Sequence, residues 1–81
     1  MSQLTDPKKK QALCARLSKV EGQLRGIQKM LNEEQDCEKI AQQLSASRKA
    51  LDKAFFTMIA CVMEHGQVPP EHLAEMLAKY A

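Results

Sequence analysis

The stretch CEKIAQQLSASRKALDKAFFTMIACVMEH, residues 37–65, organises the chain, because a seam of mostly apolar or small residues runs along it. The seam advances in alternating steps of three and four residues, and its members are Cys37, Ile40, Leu44, Ser47, Leu51, Ala54, Met58, Cys61 and His65. This spacing is typical of a helix that packs along another helix. Two cysteines and a histidine are on the seam, so packing and chemistry share one helix face.

The distance between the two seam cysteines decides how they can act. Cys61 and His65 are one helical turn apart, whereas Cys37 precedes Cys61 by 24 residues, about 36 Å at about 1.5 Å per residue. The two cysteines therefore cannot meet within one chain. If the helix pairs with its own copy in antiparallel orientation, Cys37 of one chain lies beside Cys61 and His65 of the other. The seam thus predicts two thiol-rich sites per homodimer, each shared between chains.

A first helix is predicted over about residues 7–31. Asp6 is suited to cap its start, and Pro7 to occupy its first position. Apolar residues then repeat in steps of four and three: Leu13, Leu17, Val20, Leu24, Ile27 and Leu31. Gly22 and Gly26 lie within this helix, each at a cost of about 1 kcal/mol relative to alanine. Their spacing of four favours close packing of another helix against them, and two tolerated glycines without such a contact fit the same pattern.

The remaining elements complete an all-α, single-domain prediction for residues 1–81. Asp36 is suited to cap a second helix over about residues 37–65, and Gly66 to end it. A short amphipathic third helix is predicted over about residues 70–80, with an apolar side able to cap a helix bundle. Helices of this length in so short a chain bury too little surface for a stable monomer, so an obligate oligomer is expected.

Composition excludes several classes of protein. Hydrophobic residues make up 44% of the chain and aromatic residues 4%, so the core is aliphatic. The sequence has no run of about 20 apolar residues and no secretory signal pattern, which predicts a cytoplasmic protein without membrane contact. In that compartment the three cysteines are reduced and available for metal or redox chemistry. No acid/base pair or oriented nucleophile points to an enzyme.

Positive charge is concentrated near the start of the chain. Seven of the twelve basic residues precede position 30: Lys8, Lys9, Lys10, Arg16, Lys19, Arg25 and Lys29. Only Asp6 and Glu21 are acidic in that segment. The pattern fits a surface that faces a polyanion. It also fits a solvated helix face, and charge alone leaves both interpretations open.

The cysteines admit a structural and a chemical interpretation. Each one alone is most simply a buried small apolar residue, and Cys14, beside Leu13, is interpreted in that way. Cys37, Cys61 and His65 together form a set of donors that suits soft or borderline ions such as Cu(I) or Zn(II). Two thiols facing each other across a dimer also form a disulfide or polysulfide bridge.

The strings RLSKVEGQLRGIQKML at 16–31 and CEKIAQQLSASRKALD at 37–52 resemble the CsoR/RcnR/FrmR family of small helical bacterial repressors, with similarity from about Lys8 to Met63. The resemblance implies a three-helix protomer, an antiparallel four-helix-bundle homodimer and a dimer-of-dimers tetramer. It also implies operator DNA binding without a helix-turn-helix motif, and release of the DNA when an effector binds. The DNA-facing residues implied are Lys8, Lys9, Lys10, Arg16, Lys19, Arg48 and Lys49.

The effector prediction depends on where this chain departs from the family pattern. Cys37 matches the family's first cysteine, but Val62 and Gly66 occupy the positions of the other usual ligands. The segment SASRKALDKAFFTMIA, residues 45–60, is similar to the persulfide-sensing branch. Persulfide sensing by Cys37 and Cys61 is therefore the first expectation, and Cu(I) or another soft metal at Cys37, Cys61 and His65 the second. A different effector is the third, and no obligatory cofactor is expected.

Overall fold

The computed structural model describes residues 3–64, 66 and 68–81, and these residues form three helices. Helix α1 spans Pro7–Asn32, α2 spans Cys37–Glu64 and α3 spans Pro70–Tyr80. No strand occurs among the described residues, which confirms the all-α prediction with three helices. Helix α1 ends one residue beyond the predicted position 31. The predicted end of the second helix, at His65, lies outside the described residues.

Local signals in the sequence set the helix ends. The Asp6 carboxylate accepts a hydrogen bond of 2.9 Å from the backbone N–H of Lys8, and Pro7 is in the first turn of α1. The Asp36 carboxylate likewise accepts a bond of 3.2 Å from a backbone N–H in the first turn of α2. Both predicted N-caps are therefore confirmed. Gly66 has a φ of 81°, the left-handed conformation that commonly follows the end of a helix.

Helices α1 and α2 form an antiparallel hairpin. Lys9, near the start of α1, contacts Glu64 at the end of α2, and Gln23 contacts Ser47 midway along both helices. The buried residues of the hairpin are Val20, Ile27, Ile40, Ser47, Ala54, Ile59 and Cys61. This core is thin, since no described side chain falls below 2% exposure.

The seam of α2 divides into two rows in the folded chain. Every second member, namely Ile40, Ser47, Ala54 and Cys61, is buried in the protomer. The alternating members, namely Cys37, Leu44, Leu51 and Met58, are exposed. Leu17, Leu24 and Leu31 form the equivalent exposed row on α1. We call these seven exposed residues the apolar stripe. The two cysteines that the seam placed on one helix face therefore belong to different rows.

Helix α3 is separate from the hairpin. Within the described part of the chain, no residues of α3 pack against α1 or α2. Its apolar side chains Leu73, Met76 and Leu77 remain partly exposed. The predicted capping of a bundle by this helix therefore does not form within one protomer.

The two glycines of α1 do not mark a close helix contact, so that prediction is wrong within one protomer. A Cβ atom at Gly26 would meet no other atom within 4 Å. At Gly22 it would meet only the Arg25 side chain, at 3.8 Å. Both glycines are exposed, because the face of α1 that packs on α2 carries Val20 and Ile27 instead.

Candidate nucleic-acid interface and thiol site

A basic cleft of about 630 Å³ lies between α1 and α2. Its charged lining consists of Arg16 and Lys19 from α1 and of Lys49 and Lys53 from α2. No carboxylate is among the described residues that line it. We call this feature the cation cleft. Arg16, Lys19 and Lys49 are among the DNA-facing residues that the sequence suggested, whereas Lys53 was missed.

Helical spacing and the antiparallel hairpin bring these cations together. Residues three or four apart lie on the same face of a helix, so Arg16 and Lys19 share a face of α1, and Lys49 and Lys53 share a face of α2. The step of four from Lys49 was the sequence signal that would have found Lys53. Like charges at this spacing are destabilising. The cluster therefore does not stabilise the fold, and its positive charge is suited to binding a polyanion.

The three lysines at the start of α1 are in an unfavourable place for helix stability. Lys8, Lys9 and Lys10 lie in or beside its first turn, which contains no acidic residue. Cations at a helix N-terminus oppose the helix dipole. Lys9 is partly compensated, because its Nζ lies 3.3 Å from both carboxylate oxygens of Glu64. These lysines extend positive charge along α1 beyond the cation cleft.

Arg48 does not join the cation cleft. It lines a shallow depression with Leu44 and Ser45, because neighbouring residues on a helix project about 100° apart around its axis. Among the residues predicted to face DNA, Arg48 is therefore separated from its neighbour Lys49 and lies beside the apolar stripe.

The cysteines occupy three different environments. Cys37 is exposed at the start of α2, at one end of the apolar stripe. Cys61 is 3% exposed and lies in the row buried in the protomer. It borders a small pocket with Leu4, Lys9 and Glu64. Cys14 is exposed in the protomer, so its interpretation as a packing residue is wrong within one chain, because Val20 and Ile27 rather than Cys14 face α2.

The predicted metal ligands do not form a site within one protomer. His65 lies outside the described residues. Among those described, no three His, Cys, Asp or Glu side chains are grouped closely enough to hold a metal ion. Cys37 and Cys61 lie near opposite ends of α2, about 36 Å apart along its axis. Any site that joins them requires a second chain.

Comparison with known proteins identifies the family. Residues 9–79 match the sequence profile of a family described as metal-sensitive transcriptional repressor. Searches of curated proteins and of solved structures gave no significant match. None of the helices in the described residues is long and apolar enough to cross a membrane. Since the family match covers nearly the whole chain, the protein belongs to the metal-sensitive transcriptional repressor family.

Proposed function

We propose that this chain is a cytoplasmic repressor that binds operator DNA through the cation cleft and releases it when its cysteines react with a persulfide. The observation that carries the DNA part is the convergence of Arg16, Lys19, Lys49 and Lys53 on one cleft without a carboxylate in its described lining. Phosphate contacts supply much of the affinity of DNA-binding proteins. Membership of a repressor family independently implies DNA binding and oligomerisation.

The apolar stripe is the proposed homodimer surface. It presents leucines from both helices of the hairpin, with exposures from 38% at Leu17 to 57% at Leu31. Two hairpins packed through this surface in antiparallel orientation form a four-helix bundle, and two such dimers form the proposed tetramer. The cation clefts, on another face of the hairpin, remain accessible to DNA. Cys37 lies at the end of the stripe, where a second chain approaches it.

The proposed sensing step is sulfur transfer to Cys37. The Cys37 thiolate attacks the outer sulfur of a persulfide RSSH, which gives Cys37–SSH and releases RS⁻. The Cys61 thiolate of the second chain then attacks the inner sulfur, forms a disulfide and expels HS⁻. If Cys61 has first been persulfidated, its terminal sulfur attacks instead, which gives a trisulfide and HS⁻. In both routes the sulfur donor is the oxidant.

The burial of Cys61 couples its reaction to the position of the lysines at the start of α1. Cys61 shares its pocket with Leu4 and Lys9, and Lys9 is paired with Glu64 beside it. For Cys61 to reach Cys37 of a second chain, its side chain has to leave the row buried in the protomer. That movement disturbs the start of α1, where Lys8, Lys9 and Lys10 are located.

A soft metal such as Cu(I) is the second candidate effector, because the family is metal-sensitive. Two thiolates and an imidazole suit such an ion. The described residues do not complete this donor set within one chain, and Val62 offers no ligand atom. A metal site therefore needs donors from two chains and reorientation of Cys61, and no step of the proposed mechanism depends on it.

DNA binding is tested with duplexes selected from a random-sequence library by the wild-type protein. Fluorescence anisotropy from about 50 to 300 mM salt gives the salt slope, which decreases by about 0.9 for each phosphate that a variant no longer neutralises. Arg16→Ala and Lys53→Ala are expected to weaken binding and to lower this slope. Arg25→Ala is the matched control, because Arg25 is nine residues from Arg16 and projects to the opposite side of α1. Equal slopes in all variants would contradict the proposed interface.

The effector is tested by anaerobic titration of the reduced protein with polysulfide and, separately, with Cu(I). Intact mass under denaturing, non-reducing conditions then identifies covalent products. A cross-linked dimer mapped to Cys37 and Cys61, together with loss of DNA binding, supports the persulfide reaction. Stoichiometric Cu(I) uptake with loss of DNA binding and without a cross-link supports the metal effector. If neither treatment releases DNA, both effector proposals are wrong.

A further inference from the structure

Ser47 is the only buried polar side chain among the described residues, with 3% of its surface exposed. It lies midway along the interface between α1 and α2, in a row of otherwise apolar residues. Its hydroxyl donates a hydrogen bond of 3.2 Å to Oε1 of Gln23. A buried polar group without a partner is costly, so this bond accounts for how Ser47 is tolerated and links the two helices at one point.

Gln23 also lines the cation cleft. The Oε1 atom of its carboxamide is therefore bound by Ser47 at the hairpin interface, and the side chain also borders the space between the four cations. Within the described residues, no acceptor takes a hydrogen bond from the Gln23 Nε2 group. In this arrangement Ser47 engages Oε1 of the carboxamide, and the N–H groups of Nε2 remain as donors.

The chemistry of the cleft gives this donor a specific use. Lysines and arginines supply charge through long side chains, whereas a carboxamide held by a buried hydroxyl supplies a directed N–H group. A glutamine that reads adenine uses Oε1 and Nε2 together, so Oε1 would have to accept from adenine through its second lone pair while it also accepts from Ser47. Donation to a phosphate oxygen needs only Nε2. The geometry therefore favours contact with the DNA backbone over base readout.

We propose that Gln23, oriented by Ser47, is a neutral hydrogen-bond donor to a DNA phosphate in the cation cleft, and that Ser47 is its positioning residue. This inference rests on the proposed DNA-binding function. It adds to that function an uncharged contact that sets the register of the DNA backbone between α1 and α2, since phosphate contacts fix the orientation of a protein on the duplex.

The test is Gln23→Ala, measured by DNA titration across salt concentrations. We expect a loss of affinity of about tenfold, the size of one hydrogen bond to a charged group. The salt slope is expected to remain unchanged, because a neutral donor releases no counterion. Selected and unrelated duplexes are expected to be weakened by the same factor. Gln11→Ala, an exposed glutamine of the same helix outside the cleft lining, is the control and leaves the affinity unchanged.

Ser47→Ala separates positioning from general packing. It is expected to weaken DNA binding in the wild-type background and to have no further effect in the Gln23→Ala background. Equal losses in both backgrounds, or a loss confined to the selected duplex, would overturn the proposal. Wild-type DNA affinity in a folded Gln23→Ala variant would overturn the role of Gln23 but not the DNA-binding function. Failure of the wild-type protein to bind any duplex would overturn both. Thermal melting of each variant verifies folding.

Discussion

The exposed leucines of the hairpin predict that the protein depends on self-association for its stability. The protomer exposes 6520 Å², whereas a compact monomer of 9.1 kDa exposes about 4900 Å². Its radius of gyration is 16.1 Å, compared with about 12 Å for a compact chain of this length. The perturbation chosen is Leu51→Ala, at the centre of the apolar stripe on α2.

The expected size of the effect follows from the exposure of Leu51, which is 43% in the protomer. Complete burial of a leucine side chain contributes about 1.5–3 kcal/mol, so the part still exposed corresponds to about 1 kcal/mol per chain. A symmetric dimer contains two copies, which gives about 2 kcal/mol. Since about 1.4 kcal/mol corresponds to a factor of ten, Leu51→Ala is expected to raise the dimer dissociation constant about thirtyfold.

Sedimentation equilibrium over a range of protein concentrations measures this constant. Met63→Ala is the matched control, because Met63 is 58% exposed but projects about 120° away from Leu51 around α2. It is expected to leave the dissociation constant within a factor of about three. A wild-type protein that sediments as a 9.1 kDa monomer, or a Leu51→Ala variant that associates as tightly as the wild type, would refute the reasoning.

Three further predictions address the effector, the start of α1 and its cap. Cys37→Ala is expected to keep DNA affinity within about twofold and to abolish release by polysulfide in anisotropy assays; an intact response would contradict the site. Glu64→Gln removes the ion pair with Lys9 and is expected to raise DNA affinity by up to about fivefold. The free energy of unfolding is expected to change by less than about 1 kcal/mol, because both side chains are more than half exposed. Unchanged DNA affinity would show that Lys9 does not face DNA. Asp6→Ala is expected to cost about 1 kcal/mol in urea unfolding because the N-cap is removed, and Asp6→Asn, which retains a capping oxygen, serves as its control.

The helices themselves were predictable from the sequence. Asp6, Pro7 and Asp36 act on backbone groups within a few residues of themselves, so their effect does not depend on the rest of the fold. The alternating steps of three and four are equally local, because they reflect only the period of a helix. The all-α prediction and the three helices were therefore available before any tertiary contact was known.

The arrangement of the candidate sites was only partly predictable. The basic residues Arg16, Lys19 and Lys49 were recognised from charge and resemblance. Lys53 lies one helical turn from Lys49 and could have been found from that spacing, but its approach to Arg16 and Lys19 depends on how two helices pack whose residues are distant in sequence. For the same reason, no sequence pattern pointed to the hydrogen bond between Ser47 and Gln23, which joins two helices.

The sequence by itself determined three helices, the capped starts of α1 and α2, and an apolar seam that requires helix partners. Tertiary structure decided which half of the seam is buried in the protomer and which half remains for a second chain. It buried Cys61 in the hairpin and left Cys37 exposed. The physical reason is that the three-four spacing specifies a helix face about 100° wide but not which neighbour covers each side of it. That choice depends on how α1 packs against α2, through residues far apart in the chain.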